Sequence, residues 1–280
     1  MINVLVVGDK CTDKYVYGEC KRLSPEQPVP VLDQTRIEER PGMAANTEMN
    51  LRSFGVNTLL LSQREVITKT RFVDTNSGYQ FMRLDETPEV TPITSAEVKM
   101  ALMHINPDAI VISDYDKGYI SDDNLWLLCN NINRPVFVDT KKRRLFQKDN
   151  VYWKINKKEY DDLVQDHLPN DNHLIVTLGS DGASWNGLIF KPEPVKVFDV
   201  CGAGDTFMAS LVYKFLKTKD MGSSIEFAKL ILFRFDSLLQ DWRLSEIIEK
   251  KNFIQQRIER TSLDLKNLEE SLKCFRDKNS

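Results

Sequence analysis

Short apolar runs that alternate with helix-compatible segments constrain the fold of this 280-residue chain more than any other feature of its sequence. Such runs are typical of strands that are buried on both faces of a sheet. Helix-compatible segments separate them, so the order predicts an α/β fold with helices on both sides of a mostly parallel sheet. The runs are Asn3–Gly8, Ala109–Ser113, Val136–Asp139 and Leu174–Leu178, and the helical segments are Ser95–Ile105, Asp122–Asn131 and Lys157–Asp166.

Residues capable of binding or chemistry follow these apolar runs. In open α/β sheets, ligands bind beyond the carboxyl ends of the strands. We therefore expect a single site at that edge of the sheet. The residues concerned are Asp13 after the first run, Asp114 after Ile112, Asp139 after Val138 and Gly179 after Leu178.

A glycine-rich turn lies within residues 198–207, where Gly202, Ala203, Gly204 and Asp205 precede a helix-compatible run, Thr206–Leu216. Backbone N–H groups at a helix N-terminus have no helical acceptor, and the helix dipole adds positive potential there. Such a turn can stabilise developing negative charge, and Asp205 could accept a proton from a bound hydroxyl. The alternative is a structural turn in which Asp205 caps the helix.

A second small-residue turn, residues 40–46, opens another helix-compatible run, Thr47–Phe54, which ends at Gly55. Gly42 allows a ligand to approach the backbone closely. The side chain of Asn46 can both donate hydrogen bonds to sugar hydroxyls and accept them.

Together the two turns resemble the paired motifs of the PfkB (ribokinase-like) carbohydrate kinase family. Further segments resemble the kinase half of the bifunctional enzyme of ADP-heptose synthesis, and the similarity runs from about Val4 to Lys229. The segments are Tyr17-Gly18, Arg22–Val31, Thr68–Arg71, Arg83–Asp85, Asp114–Gly118 and Asp139–Lys141.

The resemblance implies a ribokinase-like three-layer sandwich with a mostly parallel central sheet and a small β lid. It implies a kinase domain over residues 1–235, a lid formed by about 14–40 and 68–86, and a divergent helical tail over 236–280. Short β-type pieces broken by prolines between Tyr15 and Glu39 fit such a lid. The implied activity is transfer of a phosphoryl group from ATP, with Mg²⁺, to a hydroxyl of a sugar phosphate of the heptose 7-phosphate type.

The resemblance also assigns roles to individual residues. Asp205 is the general base, and Gly202, Ala203 and Gly204 form the anion hole. Asp13, Gly42 and Asn46 hold the sugar, while Lys69, Arg71 and Arg83 supply charge to its phosphate. Asn156, Thr177, Gly179 and Gly182 lie on the nucleotide side, with Glu159 near the metal.

Each role has a structural alternative. Asn156 and Glu159 can simply form a helix cap with a first-turn acid. Residues 177–182 can be a plain turn, Asp13 can be a capping residue, and the lid arginines can be solvated.

The chain departs from the family pattern in three places, and the departures at Met43 and after Lys229 support a second hypothesis. Met43 replaces a glycine of the sugar-side motif, the chain between Ser62 and Ile67 is short, and the sequence after Lys229 diverges where the family lines the adenine. The chain could therefore be a degenerate homologue that binds ligand or regulates a partner without catalysis.

Composition limits the partners. The net charge of −3 offers no general attraction for nucleic acid or an anionic membrane, and no apolar run reaches membrane-spanning length. The five cysteines and three histidines have no metal-ligand spacing. We expect a cytoplasmic protein.

Heptad-like apolar spacing over residues 254–275 allows a homodimer through the C-terminal helix. A homodimer through the lid is the other arrangement that we consider. The alternative for residues 254–275 is an amphipathic helix packed on its own domain.

Overall fold

A computed structural model of the chain describes residues 1–130, 133–164, 166, 168–191 and 202–243, with side chains described to residue 232. The predicted seam over residues 254–275, the first four residues of the 198–207 stretch, and most of the predicted tail lie outside the described residues.

An eight-stranded sheet forms the centre of the molecule, in the order β12-β11-β10-β9-β8-β7-β1-β4. Six neighbouring strands from β4 to β10 are parallel, and β11 and β12 extend the sheet in antiparallel orientation. The strands are β1 Asn3–Gly8, β4 Asn57–Leu61, β7 Ala109–Asp114, β8 Val136–Thr140, β9 Val151–Asn156, β10 Leu174–Thr177, β11 Ala183–Trp185 and β12 Leu188–Phe190.

Helices cover both faces of this sheet and form two separate cores. One core contains side chains of α1, α5 and α6, and the other contains side chains of α2 and α3, with Tyr160 of α4 packed against it. This arrangement is the predicted three-layer sandwich. The helices are α1 Ala44–Ser53, α2 Ser95–Ile105, α3 Asp122–Asn130, α4 Lys157–Asp161, α5 Ala203–Thr218 and α6 Met221–Arg243.

A second sheet of four strands, in the order β3-β2-β5-β6, forms the lid. The expected break at the prolines is present between β2 and β3, but the pieces are not short, because each of these strands is continuous over 14 residues. Pro25 and Pro28 lie in the connection between them, where no ladder hydrogen bond is lost. The lid strands are β2 Lys10–Leu23, β3 Pro30–Met43, β5 Thr68–Asp74 and β6 Gln80–Glu86.

The two faces of the lid differ in chemistry. The face of β2 that carries Asp13 and Tyr15 continues onto Lys69 and Arg71 of β5 by their register. The opposite face carries an apolar row across all four strands, made by Ile37, Val16, Phe72 and Met82. Asp13, Lys69 and Arg71 thus share one side of the lid, and the opposite side combines the apolar row with the ion pair of Lys14 and Glu39.

Local sequence explains most element boundaries. A capping box between Thr94 and Glu97 begins α2. The predicted helix Lys157–Asp166 is shorter than expected, since α4 ends at Asp161. Within the described part of the chain, no helix combines the length and apolar character needed to cross a bilayer.

Candidate active site

Asp205 lies in the first turn of α5, and its side chain is buried, with 3% of the residue exposed. The helix begins after Gly202, which has a left-handed backbone (φ 77°) and forms no side-chain cap. The N–H groups of Ala203, Gly204 and Asp205 therefore stand at the helix N-terminus without helical acceptors. A buried carboxylate and a group of backbone donors thus occupy the same turn.

The carboxylate of Asp205 is held by side chains from distant parts of the chain. Asn46 Nδ2 donates to Oδ2 at 2.9 Å, and Tyr115 Oη donates to Oδ1 at 2.9 Å. Thr47 Oγ1 lies 3.3 Å from Oδ1. These bonds lead to other elements, so Asp205 does not act as a cap of its own helix.

Burial raises the pKa of Asp205 above its ordinary value, and the nearby Asp139 carboxylate raises it further. The hydrogen bonds from Asn46 and Tyr115 and the charge of Lys154 act in the opposite direction. A raised pKa makes this carboxylate a stronger proton acceptor than an exposed aspartate.

A buried ion pair lies directly beside the glycine turn. Lys154 Nζ donates to Asp139 Oδ2 at 2.6 Å, and both residues are buried. Burial is the largest single influence on the pKa of Lys154 and lowers it, but the carboxylates of Asp139, Asp205 and Glu159 together raise the pKa above its ordinary value. A Cβ on Gly204 would come within 3.0 Å of Lys154 Nζ, so the backbone turn rests against this ammonium group.

The sugar-side residues Asp13 and Gly42 lie together. Asp13 Oδ1 accepts a hydrogen bond from the buried Arg71 guanidinium. Asp13 Oδ2 lies against Gly42, where a Cβ would collide with it and with Cys11 Sγ at 2.6 Å. Asp13 is a residue of lid strand β2, not of the end of β1 as its position after the first run suggested, and the residue that directly follows β1 is Asp9.

The lid cations are placed differently from one another. Lys69 Nζ lies 5.3 Å from the centroid of the Tyr115 ring and so faces the Asp205 region. Arg71 is engaged with Asp13. Arg83, on the edge strand β6, forms an ion pair with Asp85 and is half exposed, so the structure does not bring it together with Asp205.

Asn156 and Glu159 form a reciprocal capping box at the start of α4. Glu159 N–H donates to Asn156 Oδ1 at 2.9 Å, and Asn156 N–H donates to Glu159 Oε2 at 2.8 Å. Glu159 Oε1 is bonded to Lys141 Nζ. The helix-cap alternative thus describes this geometry.

Magnesium favours oxygen ligands in an octahedral arrangement. Among the described residues no group of three or more histidine, cysteine or acidic side chains could hold a metal ion. Both oxygens of Glu159 are already hydrogen-bonded. These residues therefore do not form a magnesium site by themselves.

The predicted nucleotide-side loop follows β10. Gly179 and Gly182 both have left-handed backbones, with φ of 60° and 95°. A Cβ at Gly179 would meet nothing within 4 Å, so this position faces open space. Thr177 Oγ1 donates to the Ile155 carbonyl at 3.3 Å. These glycines allow the positive φ angles of the turn, and the open space at Gly179 leaves room for a ligand.

Met43, which replaces a glycine of the sugar-side motif, has a buried side chain that does not project into ligand space. Its residue is 3% exposed, and its side chain belongs to the core that includes Val7 and Ile67. Its backbone is nevertheless left-handed (φ 57°, ψ −133°), a conformation that strains a residue with a side chain.

Three residues at this site received no role from sequence reasoning, namely Asp9, Tyr115 and Lys154. Asp9 and Tyr115 directly follow β1 and β7, so the rule on carboxyl ends of strands could have found them. Lys154 lies in the apolar strand β9, where a charged residue indicates a buried partner.

Comparison with known proteins supports a kinase relationship. Residues 150–231 match the model of the pfkB family of carbohydrate kinases. The Bifunctional protein HldE of a Nitratiruptor species is 30% identical over 281 residues, which cover 81% of this chain and 60% of that protein. The chain thus spans less than two thirds of the length of this relative.

Solved structures share the fold at low sequence identity. The Methanocaldococcus jannaschii nucleoside kinase, an archaeal member of the ribokinase family, has a TM-score of 0.58 at 18% identity, covering 83% of this chain and 92% of that one. Arabidopsis thaliana ribokinase, solved with ribose and ATP, has a TM-score of 0.57 at 14% identity, covering 82% and 91%. The predicted ribokinase-like fold is confirmed.

Proposed function

We propose that this chain, which matches the pfkB family of carbohydrate kinases over residues 150–231, transfers the γ-phosphoryl group of ATP to a hydroxyl of a sugar phosphate. The bifunctional HldE relatives favour a substrate of the heptose 7-phosphate type. The observation that carries the proposal is the buried Asp205 carboxylate beside the N–H groups that open α5.

In the proposed step, the substrate hydroxyl oxygen attacks the γ-phosphorus and the bond from phosphorus to the leaving ADP oxygen breaks. The hydroxyl proton passes to Asp205, whose pKa is raised by burial. The N–H groups of Gly202, Ala203 and Gly204, together with that of Asp205, stabilise the negative charge on the transferring group.

The lid supplies the substrate contacts in this proposal. Asp13 Oδ2 and Asn46 bind sugar hydroxyls beside Gly42, while Lys69 and Arg71 contact the phosphate that the sugar already carries. Arg83 would have to leave Asp85 to join them. The lid also excludes water, which favours transfer to sugar over hydrolysis.

In this proposal the loop that holds Thr177, Gly179 and Gly182 receives the nucleotide, together with Asn156, which lies opposite Thr177 in the sheet. Magnesium is expected to arrive with the nucleotide phosphates. Contact between Glu159 and the metal would require Lys141 to move.

We further propose that residues 1–235 act as the kinase domain, that 236–280 form a separate helical tail, and that the protein works in the cytoplasm as a homodimer. The apolar row on the outer face of the lid supports a dimer through that face.

The test is release of ADP with a panel of sugar phosphates, comparing wild type with Asp205→Asn. The substitution keeps the size of the side chain and removes the proton acceptor, so turnover should fall at least about a hundredfold. Asp123→Asn, an exposed change on α3, is the matched control and should keep wild-type turnover.

Equal turnover in wild type and Asp205→Asn would reject Asp205 as the base. A wild-type protein that binds nucleotide or sugar phosphate, seen as a rise in Tm, yet releases no ADP would favour the non-catalytic alternative.

A further inference from the structure

Tyr115 is the first residue after β7, and its hydroxyl reaches the proposed base. The distance from Tyr115 Oη to Asp205 Oδ1 is 2.9 Å. Burial, together with the neighbouring Asp205 carboxylate, raises the pKa of Tyr115 well above its ordinary value. The phenol therefore stays protonated and acts as a hydrogen-bond donor.

The loop that presents Tyr115 is fixed by a buried carboxylate. Asp9 is fully buried, and its Oδ2 accepts hydrogen bonds from the N–H groups of Tyr115 at 2.8 Å and Lys117 at 3.3 Å. The loop also needs left-handed backbones at Asp116 (φ 56°) and Gly118 (φ 103°). Because two N–H groups of this loop are bonded to one buried carboxylate, Tyr115 has little freedom to change its position.

Two cations flank the aromatic ring of Tyr115. Lys69 Nζ of the lid lies 5.3 Å from the ring centroid, and Lys141 Nζ, beyond β8, lies 5.2 Å from it. Both contacts depend on the ring and not on the hydroxyl. Removal of the hydroxyl alone should therefore leave the ring in place.

We propose that Tyr115 is a positioning residue for Asp205. The Tyr115 hydroxyl holds one carboxylate oxygen of Asp205, and Asp9 fixes the loop that carries Tyr115. This inference rests on the proposed role of Asp205 as the base. A donor on Oδ1 leaves Oδ2, which Asn46 also contacts, as the oxygen that faces the substrate hydroxyl. The same donor favours the ionised carboxylate that the reaction needs.

The experiment is the dependence of kcat/KM on pH for wild type and Tyr115→Phe. Loss of a donor to a charged carboxylate should move the acid limb to higher pH by about one unit. Among the described residues, the other charged or titratable groups that face Asp205 include Asp139 on β8, Lys154 on β9, Cys11 on β2 and Lys69 on β5. Tyr115→Phe changes none of them.

Tyr119→Phe is the matched control, because it removes a hydroxyl from a buried tyrosine of the same loop. It should leave the acid limb in place. Asp9→Asn should move the limb in the same direction as Tyr115→Phe if it folds, as judged by its Tm.

A second measurement needs no turnover. Carbon-13 NMR of protein labelled in the aspartate carboxyl groups, assigned with Asp205→Asn, follows the titration of Asp205 directly. A higher pKa of Asp205 in Tyr115→Phe than in wild type supports the inference, and equal pKa values overturn it. An inactive wild type would refute the proposed function, while the titration would still decide whether Tyr115 controls the protonation of Asp205.

Discussion

Gly202→Ala tests how tightly the glycine turn is packed against α1, the helix that carries Asn46. Gly202 has φ of 77°, and an added Cβ would lie 2.7 Å from Asn46 Nδ2. Asn46 would have to move, and its hydrogen bond to Asp205, 2.9 Å long, would be lost. The change therefore combines backbone strain with the loss of a bond to a carboxylate.

Gly55→Ala separates these two effects. Gly55 has nearly the same backbone, φ of 74°, but a Cβ there would meet nothing within 4 Å. A left-handed alanine costs about 1–2 kcal/mol, and its smaller unfolded-state entropy returns about 0.4–1 kcal/mol. We expect Gly55→Ala to lower the free energy of unfolding by about 1 kcal/mol.

Gly202→Ala has the same backbone strain and the same change in unfolded-state entropy as Gly55→Ala, and it also loses the hydrogen bond from Asn46 to Asp205. Hydrogen bonds to charged groups contribute about 1.5–3 kcal/mol. We therefore expect Gly202→Ala to lower the free energy of unfolding by about 2.5–4 kcal/mol.

Urea unfolding of both variants measures the difference directly. In an Asn46→Ala background, Gly202→Ala should destabilise the protein no more than Gly55→Ala does, since the Nδ2 atom that the added Cβ would meet is absent. The reasoning would be refuted if Gly202→Ala and Gly55→Ala differed by less than about 0.5 kcal/mol, or if the excess persisted without Asn46.

Two further predictions concern Met43 and the lid. Met43 has a buried side chain on a left-handed backbone. Both Met43→Gly and Met43→Ala lose the packing of that side chain, but only glycine relieves the backbone strain, so the free energy of unfolding should be about 1 kcal/mol higher for Met43→Gly than for Met43→Ala. Urea unfolding measures both values, and the opposite order would contradict this reasoning. If the apolar outer face of the lid joins two copies, Met82→Lys should convert a dimer to a monomer in sedimentation velocity, whereas Met49→Lys, an equally exposed methionine on α1, should not. A wild-type monomer would contradict the lid dimer.

The sequence determined four strands of the central sheet, namely β1, β7, β8 and β10, and the starts of α2, α3 and α4. The predicted runs from Thr47 and Thr206 begin three residues later than α1 and α5 do. Runs such as Asn3–Gly8 predicted β1 with its observed bounds, and Ser95–Ile105 predicted α2. These elements depend on local signals, namely the apolar pattern and the capping box of Thr94 and Glu97. Local signals also located the glycine turn, because its backbone conformation is set within a few residues.

Tertiary structure decided which partners each site residue has. Asp205 and Asn46 are 159 residues apart in sequence yet share a hydrogen bond. Likewise Lys141 is drawn to Glu159, and Arg71 to Asp13. These pairings depend on strand order and register and on the packing of α1 against α5, none of which can be inferred from the residues next to each partner in the sequence. Because burial and neighbouring charges set the pKa of Asp205, the strength of the proposed base is likewise a property of the folded chain.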